Sequence, residues 1–488
     1  MSKELADQWA APGEAPMSEG TGLDLADFAL LDAPPVDGVT RTVQMSVWFR
    51  GALYLGIGSS PYGLTRLAGQ GAFDAGPGES SYPPQQGAEI WRYSPGERNW
   101  VCLYRSPLNE EDTGRAAPRD VGILAAAVCQ SAVDAAPALY VATSTLDRPC
   151  VFLRCEDGTN FIQCDSQGFG LEDAGAPAVS SIVALDGKVF AAPVGVARGM
   201  LDVGPVEMAC VFETDDPLHG SWRAISEPGF GDDTNVAVSS LAAYAGHLYA
   251  ATCNERHGFQ LWKCRPTGEP PYRWTKLLDN GAWRPLNAVP TAMTVFDEAL
   301  YIAAAVQRTG HGGRDRFGPF PPDMVRVHAD DRWELVTGQP RFTPHGFKRP
   351  TSQRLAGLDD YFTHAFWCLA EQNGWLYCGT SSWSWMPTYL NDRSDLTDER
   401  YAWLEEQSEA QHDGEFRLWR TRDGDDWQQV TDIGFPGGNA LNFGVRTMTA
   451  SAAGLFVLPI GEVDGEGHRA IEIWLGQREE AEEAEDVL

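Results

Sequence analysis

VWFRGALYLG (Val47 to Gly56), PALYVATS (Pro137 to Ser144), IVALDGKVFAAP (Ile182 to Pro193), LAAYAGHLYAATC (Leu241 to Cys253), MTVFDEALYIAAA (Met293 to Ala305), WCLAEQNGWLYCGTS (Trp367 to Ser381) and MTASAAGLFVLP (Met448 to Pro459) are seven copies of one pattern. Each reads as a short apolar strand, a tight turn and a second strand bearing an aromatic residue. A period of this kind decides the architecture before any motif is considered.

A Trp-bearing strand pair follows several copies: EIWRYSPGERNW (Glu89 to Trp100), QLWKCRPTGEPPYRW (Gln260 to Trp274) and RLWRTRDGDDW (Arg417 to Trp427). Weaker versions lie around Phe212 to Trp222 and Val325 to Trp333. Val, Tyr, Phe and Trp in the strands, with Gly, Asp and Pro at the turns, predict four short antiparallel strands per unit. Units of about 50 to 80 residues that cannot bury both faces alone stack radially, so the expected fold is all-β, a single seven-bladed propeller. Six or eight blades are the alternatives, because the second copy is poor and follows an acid-containing stretch (Asn109 to Asp120). The last copy stops at EIWLG (Glu472 to Gly476) without a fourth strand. Leu23 to Leu31 is the candidate to fill that edge and close the ring, against the alternative of a helix or arm on the surface.

Residues 1–22 read as a flexible arm, 23–476 as the propeller with a long insertion at 381–414, and 477–488 as an acidic disordered tail. The net charge of −31, from 37 basic and 68 acidic residues, provides no basic footprint for nucleic acid. No segment has signal-peptide or membrane-spanning character, so a cytoplasmic protein without membrane insertion is expected. The ten cysteines form no CxxC pair and fall mostly in strand patterns, where a reduced thiol serves as a small hydrophobe. A protein partner is left unassigned.

The loop between strands two and three and the connection into the next blade share one face of a propeller, and the insertions fall there: Ser59 to Gly87, Pro193 to Pro205, Val306 to Pro322, Ser381 to Gly414 and Gly338 to Thr363. Ahead of blade six, GLDDYFTHAFW gathers Asp359, Asp360, Tyr361 and His364, the parts of an acid/base group or of ordinary turn capping. Ahead of blade seven, GFPGGNALNFGVRTM carries Asn442 and Arg446. Arg446 has no counterpart in the related connectors, and it suits an anion or a bridge between blades. Trp383, Trp385 and Tyr389 in the long insertion, with His311 in a basic loop, complete the candidate substrate-binding set. No organic cofactor is expected, since Walker, Rossmann, HExxH and GxSxG patterns are missing. Structural calcium is conceivable at Asp464 and Glu466 or at Asp232 and Asp233, without EF-hand spacing.

The wording LYxGTS, GxExWRxxDGxxW and GFGxxxNxGxRTM resembles a bacterial family of WR-containing propellers. It is best preserved in Leu376 to Ser381, Glu415 to Trp427 and Gly434 to Met448, including Asn442, Gly444 and Arg446. The likeness covers about Val43 to Leu475 and is specific for fold rather than reaction. One type it looks like is the propeller of cyanobacterial cyclophane-forming alkylating enzymes, which join a resorcinol ring to a secondary alkyl chloride. Their calcium-binding β-roll of glycine/aspartate nonapeptides has no match here.

Together these readings favour an enzyme of specialised metabolism. It would transform an apolar or aromatic small molecule by acid/base-assisted alkylation, cyclisation or a related step, as a cofactor-independent transferase or cyclase. The alternatives are a noncatalytic propeller that binds a glycan or protein, and a glycoside hydrolase using a carboxylate pair such as Asp359 and Asp464.

Overall fold

The computed structural model describes residues 21–36, 41–59, 86–110, 116–145, 148–171, 176–194, 209–306, 320–383, 416–461 and 471–478. Within them lie seven four-stranded antiparallel blades. The inner strands are Arg41–Phe49, Gly122–Cys129, Ala178–Leu185, Ala237–Tyr244, Val289–Phe296, Thr363–Gln372 and Asn442–Ser451, for blades one to seven in order. Each inner strand packs beside the next, and that of blade seven beside that of blade one, so the ring is closed.

Blade seven is built from both ends of the chain. Phe28–Leu30 pairs with Trp474–Gly476 in the register Phe28↔Gly476, Ala29↔Leu475 and Leu30↔Trp474, as the missing fourth strand required. Pairing this edge removes a row of open backbone groups that would otherwise template aggregation.

Second strands sit between neighbouring blades and are covered on both faces. Ala52–Ser59, Ala138–Ser144 and Ala299–Ala305 are buried at every position, so they read as continuous apolar runs instead of alternating ones. Their tyrosines Tyr54, Tyr140, Tyr249, Tyr301 and Tyr377 are all essentially inaccessible. Burying each aromatic body contributes about 1.5–3 kcal/mol, and each phenol then needs a partner.

The partners differ: Tyr301 accepts from Arg326, Tyr140 donates to Asp134, Tyr377 accepts from Leu23 N, and Tyr249 has none among the described residues, while the third strand sets a basic residue opposite every one. Tyr54 faces Arg92, Tyr140 faces Arg154, Tyr249 faces Lys263, Tyr301 faces Arg326 and Tyr377 faces Arg420 across the ladder. In four of these blades the pair reaches onto the next. Tyr54 and Arg92 donate to the carbonyl of Gly158 at 2.6 and 3.2 Å. Lys263 meets Asp331 at 2.5 Å, Arg326 meets Asp425 at 3.1 Å and Arg420 meets Asp24 at 2.8 Å. The first three partners lie in the hairpin between strands three and four of the following blade, and Asp24 precedes the closing strand. Blade three reverses the polarity: Glu213 faces Phe190 and takes Lys188 together with Tyr272 of blade four. In blades one, four and six the staple is the basic residue after the repeated Trp, and in blade five it is Arg326 after Val325.

Candidate functional site

Every inner strand skips one residue in its pairing with strand two. The seven bulged residues are Gln44, Leu124, Ser180, Ser239, Thr291, Trp367 and Arg446, one per blade at equivalent positions. A bulge re-aims its side chain out of the regular alternation. In blade three Ser180 Oγ donates to the carbonyl of Val238 in blade four at 2.6 Å, and in blade five Thr291 donates to the carbonyl of Phe366 in blade six. Gln44 similarly spans blades one and two, donating to Ser59 O and accepting from Ile123 N, each at 2.8 Å.

Blades six and seven differ from this scheme. Their bulges carry Trp367 and Arg446, and the Arg446 guanidinium lies 5.2 Å from the centre of the Trp367 ring. Among the described residues these two inner strands alone have a second bulge three residues earlier, at His364 and Phe443. There the ladders of adjacent blades touch, Ala305 pairing with Ala365 and Ser381 with Gly444. Phe443 stacks on Trp367 at 6.3 Å. A Cβ at Gly444 would stand 2.6 Å from Trp367 Cζ3, so glycine is what allows the indole this close.

His364 is buried, with Nδ1 3.2 Å from Ser381 Oγ and its ring edge-on to Trp383 at 4.7 Å. Burial lowers its pKa to about 4, because a charged imidazolium would lose its hydration there. At neutral pH the imidazole beside the Ser381 hydroxyl is therefore uncharged. Trp383 has no exposed surface and donates to the carbonyl of Phe320 at 3.2 Å, so it is a buried neighbour of His364.

The carboxylates ahead of blade six are occupied locally. Asp360 accepts from Arg417 Nη1 and Thr363 Oγ1 at 2.7 Å and from Phe362 N at 3.1 Å. Asp359, in a left-handed turn at φ 70°, accepts from Leu355 N at 2.7 Å and pairs with Arg354 at 3.1 Å. Tyr361 is half exposed beside Phe362. Asn442 is buried and donates to Glu472 at 2.9 Å, while the same carboxylate takes Asn439 N and the Trp474 indole.

His364, Ser381, Gly444, Trp367 and Arg446 thus form one continuous contact path across the blade six to seven seam. Asp359, Asp360 and Tyr361 precede the strand that carries His364, and Asn442 precedes the bulge at Phe443. Trp385, Tyr389, His311, Asp464 and Glu466 lie outside the described residues. Among the described residues no group of three or more His, Cys, Asp or Glu is gathered as for a metal. Asp232 spends its oxygens on Thr234 and on Gln260 at 2.9 Å. Ser381, Trp367, Phe443 and Arg417 were not singled out from sequence. For Trp367 the signal was the third residue of the aligned inner strands AVSSI, AVSSL, VPTAM, AFWCL and GVRTM, where Ser and Thr give way to Trp and Arg; the other three carried none.

No family model matches the chain, and no curated protein matches it. Among solved structures, the GH74 xyloglucanase from Xanthomonas campestris is similar over 92% of this chain and 56% of its own, at 13% identity and a TM-score of 0.46. Puromycin hydrolase is similar over 93% of this chain and 55% of its own, at 11% identity and a TM-score of 0.46. The computationally designed Ika8 protein is similar over 93% of this chain and all of its own, at 11% identity and a TM-score of 0.38. The chain spans about half the length of the first two, and these likenesses bear on neither its substrate nor its reaction.

Proposed function

We propose that the protein is an enzyme acting on a small, largely apolar molecule that carries or develops an anionic oxygen, bound where blades six and seven meet. The observation that carries this reading is the neutral His364 beside Ser381 Oγ, on the same strand pair that sets Trp367 under Arg446. Arg446 would hold the anionic oxygen, and Trp367 and Phe443 would contact the apolar body. His364 would move a proton with Ser381 as its hydroxyl partner. Asp360, through Arg417, would fix the approach to blade six, and Tyr361 would stand at the rim. Trp385, Tyr389 and His311 keep their proposed part in binding substrate.

Within that reading, the resemblance to WR-containing propellers suggests alkylation or cyclisation of a phenolic substrate in specialised metabolism. A hydrolytic step is the second reading, favoured by the 3.2 Å His364–Ser381 contact. The glycoside-hydrolase alternative stands on Asp359, which pairs with Arg354, and on Asp464, which lies outside the described residues.

The test incubates the protein with panels of phenols, aryl carboxylates and aryl esters and follows product mass. Turnover that falls on the order of 100-fold in kcat for His364→Gln, with a raised KM for Arg446→Met, supports the assignment. A ligand that binds at this seam and is recovered unchanged would point to the noncatalytic alternative.

A further inference from the structure

Between blades five and six the chain forms a small hairpin, Arg341–Thr343 paired with Gly346–Lys348, that joins no other strand among the described residues. Its two central side chains, Phe342 and Phe347, face each other with ring centroids 5.0 Å apart. They are 84% and 55% exposed, respectively. Phenyl rings held in water on a structural post call for an explanation.

The post is firmly fixed. Arg341 reaches into the protein to Asp323 at 2.7 Å and to the carbonyl of Ala282 at 2.9 Å. Lys348 donates to Trp333 O at 2.8 Å and lies 4.6 Å over the Trp333 ring. His345 meets Trp283 edge-on at 5.0 Å, and Trp283 stacks on Trp333 at 5.5 Å. The phenyl pair is therefore presented without the ordering cost a floppy loop would pay on binding.

The surroundings select an occupant. In a chain of net charge −31, residues 335–358 contain no Asp or Glu and include Arg341, Lys348, Arg349 and Arg354. Nearby Glu334 is saturated by Arg326, Arg332 and His328, and Arg349 and His345 are exposed. Arg341 and Arg354 are paired with Asp323 and Asp359, so the hairpin offers open strand edges, an apolar pair and the positive charge of Lys348 and Arg349.

We propose that the Arg341–Lys348 hairpin is a docking site for an extended acidic polypeptide segment that adds as a further strand and seats an apolar side chain on Phe342 and Phe347. The experiment uses fluorescence anisotropy of the full chain with a labelled peptide of alternating Glu and Leu, and with its Lys and Leu counterpart. The Glu peptide should bind and the Lys peptide should not. Phe342→Ser with Phe347→Ser, and separately Arg349→Glu, should each weaken binding by about tenfold or more. An unchanged melting temperature would show both variants folded. Equal binding of the two peptides, unchanged affinity in the double variant, or no Glu-peptide binding below millimolar concentration overturns the proposal. So does concentration-dependent self-association that the double variant abolishes, which would make a second copy the occupant.

Discussion

His364 combines burial with a position that needs a proton acceptor, and pH separates the two. In the unfolded chain the imidazole gains a proton near its ordinary value of 6.5, whereas in the folded protein it does so only at about 4. The unfolded state therefore binds the extra proton first, and stability should fall between roughly pH 6.5 and 4, by at most about 3 kcal/mol. His364→Gln should flatten that acid limb in melting-temperature measurements at pH 7 and pH 5. If His364 is the base, the acid limb of kcat should likewise sit near 4 instead of 6.5. At Arg446, Lys should restore less affinity than Arg for an anionic ligand, because it lacks the planar face that lies over Trp367; ligand titrations of Arg446→Lys and Arg446→Met would show it. Arg446 was legible in the sequence because it breaks a repeat. Ser381 was not, since its meeting with His364 depends on the second bulge, and a bulge leaves little trace in composition.

At the scale of the element, the staples explain the recurrent WR wording. Arg326 bonds Tyr301 at 3.0 Å and Glu334 at 2.7 Å while reaching Asp425 in the next blade. Arg326→Met should lower stability by about 1–3 kcal/mol through the polar groups left unpaired, read as a shift in urea midpoint without loss of β-sheet circular dichroism. Gly424→Ala should act at the same joint, because the position has φ 78° and a Cβ would overlap the Tyr301 hydroxyl. The apolar runs of the second strands and the turns between them announced strands and blades from sequence. That Tyr and Arg stand opposite each other is a matter of register, which the linear pattern alone does not specify.

Over the whole molecule, seven blades and a closing strand were readable because each unit repeats the same burial problem. The candidate residues ahead of blades six and seven were legible too, because they depart from the repeat, whereas the contacts across that seam were not. All ten cysteines are free thiols. Burial raises the pKa of Cys129, Cys150 and Cys164, each to about 12. Native protein treated with iodoacetamide should therefore label first at the partly exposed Cys102 and Cys210, with all ten modified only in denaturant, as peptide mass spectrometry would report. Deleting residues through Leu30 should leave the edge of Trp474–Gly476 open and convert reversible unfolding into aggregation, measurable by light scattering on heating. The same closure sets a schedule for synthesis. Leu30 leaves the ribosome on the order of 440 residues before Trp474, roughly 20–90 s at ordinary elongation rates. The first strand translated must wait, unpaired, for the last, so the ring locks only after nearly all of the propeller has emerged.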